Sequence, residues 1–196
     1  MRMKQIKYLK LLKIQNKKNG QRRICNNIDF LPYGYPLEKK MMPIAQGIGD
    51  KNCTLLQLVP RRGIKLEVGE KVYIGEGKRD KVYYILGKLP ENKITETAKE
   101  QLSEFIDKKI KEDETKFVDF FNKAEAINTR LHQFELLPGF GKKHTEGILE
   151  ERNKKPFTSL EDLKKRVSNL PDPKRAIEKR ILEEITGREK YILFTD

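Results

Sequence analysis

The octapeptide Leu136-Leu137-Pro138-Gly139-Phe140-Gly141-Lys142-Lys143 cannot lie inside a regular helix or strand. Pro138 has no N–H and steers Leu137 away from helical angles. Gly139 and Gly141 permit positive φ and close backbone approach. On the N-terminal side, Leu131, Phe134 and Leu137 recur near helical spacing, which predicts a helix closing over Gln133–Leu137. On the other side, Lys142–Arg152 reads as a second helix whose unbonded N–H groups face back toward the turn. Thr158 or Ser159 is then expected to cap a third helix, with Glu161 and Asp162 in its first turn.

Two helices across a Pro-Gly-X-Gly turn, followed by Pro156-Phe157-Thr158-Ser159-Leu160, resemble a helix-hairpin-helix spanning about residues 124–167. Such a turn offers a phosphate the N–H groups of Gly139, Gly141 and Lys142 and the positive end of a helix dipole. Pro138 shapes the turn, Phe140 is expected to pack into the seam between the helices, and Lys142 and Lys143 add charge. By analogy with other hairpins of this kind, a monovalent cation at the hairpin carbonyls is the one bound ion expected. The competing reading is a tight turn used only for packing.

The net charge of +13 is unevenly spread. Residues 1–23 hold nine Lys/Arg and no acid, residues 24–90 hold eleven against seven, and residues 91–196 hold 22 against 22. The surplus lies in the N-terminal extension and the region after it, not around the octapeptide. A basic segment attracts polyanions by counterion release, without sequence preference. Ile6, Leu9 and Leu12 among lysines suggest a short basic amphipathic helix in that extension. No apolar run is long enough to span a bilayer or to form a secretory signal core, so a cytoplasmic protein with no membrane association is expected. Cys25 and Cys53 make neither a metal pattern nor a disulfide framework.

Residues 24–90 carry five short β-like runs, Ile24–Leu31, Met42–Ile48, Thr54–Val59, Lys71–Gly75 and Lys81–Leu86, separated by turn residues. Five strands fit a small barrel of the OB type, whose face and loops commonly bind single strands. Arg61, Arg62, Lys78, Arg79, Lys81 and Tyr73 interleave charge and aromatic surface and are the candidate contacts there. Tyr83 and Tyr84 cannot both face the same side of one strand.

Residues 91–190 read as helical. Thr97 with Glu100 predicts a capped helix through Lys111, Phe117-Val118-Asp119-Phe120-Phe121 a strongly apolar one, and Asp172-Pro173 the start of another ending at Gly187. Tyr191–Phe194 reads as a short strand able to return to the barrel. The fold class is therefore α+β: a basic extension over 1–23, a five-stranded OB-like β-barrel over 24–90, a helix-hairpin-helix domain over 91–190 and a C-terminal strand within 191–196. No catalytic constellation is found. Gly75-Glu76-Gly77-Lys78 and Gly139-Phe140-Gly141-Lys142 lack Walker spacing, and His132 and His144 have no completing metal ligands.

From Phe30-Leu31-Pro32-Tyr33-Gly34 onward the chain resembles an uncharacterised archaeal family whose members carry a nucleotide- or RNA-binding designation. The residues carrying this include Thr54-Leu55-Leu56-Gln57-Leu58-Val59-Pro60, Val72-Tyr73-Ile74-Gly75, Thr129-Arg130-Leu131-His132-Gln133 and Leu137–His144. The resemblance implies a barrel plus helix-hairpin-helix architecture. It also implies a nucleic-acid-binding role, with RNA favoured over DNA; with no catalytic constellation found, a non-enzymatic monomer is expected. The alternatives are a DNA repair or recombination accessory factor, an interaction module on ribosomal or transcription proteins, and a nucleotide-binding enzyme.

Overall fold

The computed structural model describes residues 23–36, 42–187 and 189–195. The basic helix expected in residues 1–23 falls almost wholly outside them.

Five strands form one antiparallel sheet: β1 (Ile24–Leu31), β2 (Ile44–Gly49), β3 (Leu55–Pro60), β4 (Lys71–Tyr73) and β5 (Val82–Lys88), in the order β4-β1-β2-β3-β5. All five lie where alternation and turn residues predict them, within two residues. Ile28 is the extra residue of a bulge between the pairs Asn27–Gly47 and Asp29–Gln46. Such a bulge bends its strand and increases the local twist. The sheet curls, but β4 and β5 remain its two edges, with no ladder joining them among the described residues. The closed barrel expected from the sequence is thus an open half-barrel. Lys81, just before β5, pairs with Glu70, just before β4, and within the loop that joins the two strands Arg79 Nε donates to the Gly75 carbonyl at 2.9 Å.

Both faces of β1 and β2 are largely buried, while β4 and β5 expose one side. Cys25, Ala45, Leu58, Leu66, Val72 and Val82 fill the inside of the curl. Ile28, Ile44, Ile48 and Leu55 join a second cluster that runs on without a break into the helices. Gly47 is required by this packing, because a Cβ there would stand 2.5 Å from Cys25 Sγ.

Five α-helices follow: α1 (Glu96–Glu112), α2 (Glu114–Lys123), α3 (Lys142–Lys154), α4 (Leu160–Arg166) and α5 (Pro173–Ile185). The chain is a mixed α+β fold. In α1, Ala98, Leu102, Ile106 and Ile110 repeat every fourth residue and bury one face against the sheet and α5. Its cap is Thr95, two residues before the expected Thr97. Thr95 Oγ1 accepts from Ala98 N at 3.2 Å and donates to Asp29 Oδ2 at 2.5 Å, so one hydroxyl starts the helix and fastens it to β1. The physical reason is tertiary: only Thr95 can reach Asp29. Gln46, fully buried on β2, completes the joint by donating to the Lys93 carbonyl and accepting from Thr95 N.

Ser159 and Asp172 cap α4 and α5 as predicted, accepting from Asp162 N and Arg175 N. Tyr191–Phe194 does not form the expected strand. Gly187, at φ +76°, turns the chain so that residues 189–195 fold back over α5, and the Phe194 ring packs on Phe117 and Phe120. The backbone donors that a strand would have spent on the sheet go instead to a buried carboxylate, Glu184.

Thr95→Ala is expected to lower stability by about 1–2 kcal/mol, losing the cap and the Asp29 bond together. Thr95→Ser should recover most of it in urea unfolding.

Candidate functional site

The octapeptide is an exposed turn on a buried base. The helix expected over Gln133–Leu137 is instead a single 3-10 turn, Gln133–Leu136. Before it, Ala126–Asn128 (β6) pairs with Leu131–His132 (β7) around a turn at Thr129-Arg130, which leaves only four residues before the extended Leu137. Proline at 138 excludes helical angles at Leu137, so the segment has room for one turn and no more. His132 caps it: Nδ1 accepts from Phe134 N at 3.2 Å, while Glu135 Oε1 accepts from His132 N at 2.8 Å.

Leu137 N donates to the Phe134 carbonyl and Phe140 N to the Leu137 carbonyl, both at 3.0 Å. Gly139 sits at φ +86°, where only glycine is unstrained, with Pro171 of the α4–α5 connection just beyond it. Phe140 points inward, its ring 6.2 Å from Phe121. Gly141 departs from the sequence expectation. It is extended (φ −122°, ψ −176°), and a Cβ there would meet nothing within 4 Å. Among the described residues, no conformational or packing demand calls for glycine at 141.

Gly141 is the cap residue of α3, and its N–H donates to His144 Nδ1 at 3.2 Å. That donor, which the sequence offered to a ligand, is therefore occupied. The N–H groups of Lys142, Lys143 and His144 belong to the first turn and have no intrahelical acceptor. Beside them, Lys142 and Lys143 are exposed and, among the described residues, have no carboxylate partner. Elsewhere Lys99, Lys108, Lys109, Lys111 and Lys123 each pair with an acid on or at the end of their own helix. Gly147 was missed by sequence reasoning. Its Cα faces Val167, whose Cγ1 would lie 3.3 Å from an added Cβ, so α4 approaches α3 closely.

The other predicted contacts lie on the sheet's rim and are largely bound up in it. Arg61 Nε donates to the Arg79 carbonyl at 2.7 Å, and Arg79 to Gly75. Lys81 holds Glu70, whose carboxyl that bond keeps below its usual range. The Tyr73 hydroxyl donates to the Glu76 carbonyl, and its ring fills the space a Cβ at Gly75 would need. Arg62 and Lys78 remain exposed on neighbouring turns. Tyr83, 64% exposed, is the more open ring of the edge-to-face Tyr83–Tyr84 pair.

Among the described residues, no three His, Cys, Asp or Glu side chains are grouped so as to hold a metal ion, and no helix is long and apolar enough to cross a membrane. Both cysteines are buried. Burial, then the Asp50 charge, pushes the Cys25 thiol up to about 12, and burial raises Cys53 as well. Neither offers a thiolate nucleophile.

Residues 22–196 match the family described as proteins of unknown function, DUF655. The chain belongs to this family. It is 40% identical over 183 residues to an uncharacterised protein of Methanocaldococcus jannaschii, covering 91% of this chain and 83% of that one. It is also similar to an Archaeoglobus fulgidus protein of the same family whose crystal structure is known. The identity is 45% and the TM-score 0.77, over 89% of this chain and 99% of that one.

Two outcomes follow from the hairpin geometry. Gly139→Ala forces a Cβ into a left-handed position and is expected to cost about 1 kcal/mol in chemical denaturation. The second concerns His132. Burial, helped by the Arg152 charge, lowers its pKa from the ordinary 6.5. The stability it supports is fully present above about 6.5 and is lost as pH falls from there through the lowered value. His132→Gln should flatten this acid-side slope, measured as unfolding midpoint between pH 8 and 5.

Proposed function

We propose that this chain binds nucleic acid without catalysing a reaction, and that RNA is the preferred polymer. The observation that carries the reading is at the start of α3: three first-turn N–H groups and two unpaired lysines stand beside a glycine, Gly141, that nothing among the described residues requires. A phosphate approaching there would lie where a side chain at 141 would otherwise stand. On this reading Leu137–Lys154 is the working half of a helix-hairpin-helix whose first helix is reduced to one 3-10 turn. The contacts are backbone donors and point charges, which grip a phosphodiester without reading bases.

The curled sheet takes the part of an OB-like barrel. Arg62, Lys78 and Tyr83 are exposed basic and aromatic groups on it. Arg61, Arg79, Lys81 and Tyr73 shape the loops that carry them. The N-terminal basic extension adds long-range attraction. The preference for RNA rests on the archaeal family resemblance and on single-strand binding by similar barrels.

Gly141→Asp tests the hairpin while sparing the fold. Aspartate is a good cap residue, so stability should hold or rise by a few tenths of a kcal/mol. Its carboxylate would occupy the donors a phosphate needs, so affinity should fall about tenfold or more. Fluorescence anisotropy with matched single- and double-stranded RNA and DNA at fixed salt is the readout. A folded Gly141→Asp protein with undiminished affinity would remove the hairpin as the contact. Lys142→Glu with Lys143→Glu should weaken binding to every sequence and lower the salt slope by about one per lost phosphate contact.

A further inference from the structure

Arg180 is almost completely buried, and its guanidinium meets three parts of the chain. Nε donates to Glu184 Oε1 one turn along α5 at 2.9 Å, and Nη1 to the Leu136 carbonyl at 3.2 Å, at the entrance to the hairpin. Nη1 also reaches Glu189 Oε2 at 2.8 Å, and Nη2 the Tyr191 carbonyl, both in the segment folded back over α5. Glu184 is equally committed. It accepts from the backbone N–H of Leu193, Phe194 and Thr195 at 2.8–3.0 Å and from the Thr195 hydroxyl at 3.2 Å.

A second, apolar route runs between the same two places. Phe194 packs on Phe120 at 5.0 Å between centroids, and Phe120 on Phe134 of the 3-10 turn at 5.8 Å. Phe120 also meets Phe121, which contacts Phe140 inside the hairpin. The C-terminal segment thus touches the base of the octapeptide through one polar and one aromatic chain.

We infer that residues 189–195 act as an intramolecular strap, and that Arg180 is the positioning residue through which the strap sets the geometry of the hairpin. The reason is electrostatic. A buried guanidinium or carboxylate keeps its place only while its hydrogen bonds are made. Undocking the strap removes two acceptors from Arg180 and four donors from Glu184. The pair must then rearrange toward water or toward each other, and the Leu136 carbonyl loses its only side-chain donor among the described residues. The turn Leu136-Leu137-Pro138 then loses its tie to α5. Strap docking and hairpin order are thereby coupled, each favouring the other. The coupling stands on its own. Its consequence for affinity rests on the proposed nucleic-acid reading.

The test uses the full chain labelled with nitrogen-15 and residue-resolved amide exchange, comparing Leu137 and Phe140 with amides of β1–β3. Phe194→Ala releases the strap without touching Arg180. Arg180→Lys keeps the charge but cannot bridge three partners. A chain ending after Gly187 lacks the strap altogether. In each folded variant, exchange at Leu137 and Phe140 should quicken about tenfold or more while the sheet amides keep their protection. Kd for single-stranded RNA should weaken with it.

Wild-type exchange at Leu137 and Phe140 in Phe194→Ala would overturn the coupling. So would equal loss of protection in hairpin and sheet, which would mark a purely structural role. If hairpin exchange responds as expected but the wild-type protein binds neither RNA nor DNA, the coupling survives and the proposed function fails.

Discussion

The helical half of this protein is organised by one cluster of rings. Phe121 and Phe134 are fully buried and stacked at 5.6 Å, and Phe117, Phe120, Phe140 and Phe194 close around them. These six residues come from α2, the 3-10 turn, the hairpin and the C-terminal segment, so pieces far apart in sequence share one apolar volume. Each large ring contributes burial worth about 2–3 kcal/mol and, in edge-to-face pairs, somewhat more. Remove the cluster and both the hairpin and the strap lose their apolar support.

Polar groups then fix directions that apolar packing leaves free. Arg152 binds the Phe121 and Ala124 carbonyls at the end of α2, and Asn122 exchanges two hydrogen bonds with the Phe157 backbone. Arg166 reaches the Glu151, Lys155 and Pro156 carbonyls while its guanidinium covers the Phe157 ring. Each is a charged or amide side chain satisfying backbone groups that helix ends leave open. Among the described residues, the hairpin's outer surface has no such internal partner for Lys142 and Lys143.

Much of this was legible in the sequence because it is local. The strands followed alternation and turns, and the caps Ser159 and Asp172 followed residue type. Phe140 was recognised as the buried member of the turn. What escaped depends on contacts remote in sequence. Thr95 prevails over Thr97 because Asp29 lies within reach. The helix drawn over Gln133–Leu137 failed because Leu131, Phe134 and Leu137 imitate a helical period while Leu131 and His132 pair with β6. The strand drawn over Tyr191–Phe194 has strand composition, yet the buried Glu184 takes its N–H groups. Burial of an arginine and a glutamate four residues apart on α5 leaves no local trace, since such pairs usually mark an exposed helix face. The rim residues were chosen by type, and type alone does not show which arginine is already holding a carbonyl.

The open seam of the half-barrel has a mechanical meaning. A backbone ladder holds neighbouring strands about 4.8 Å apart and resists sliding. Between the β4 and β5 edges stands instead a flexible lysine on a carboxylate, Lys81 on Glu70, each just before its strand. Long side chains tolerate ångström-scale changes in span that a ladder does not. The mouth of the curl is therefore closed by side chains alone, over the apolar filling of Leu66, Val72 and Val82.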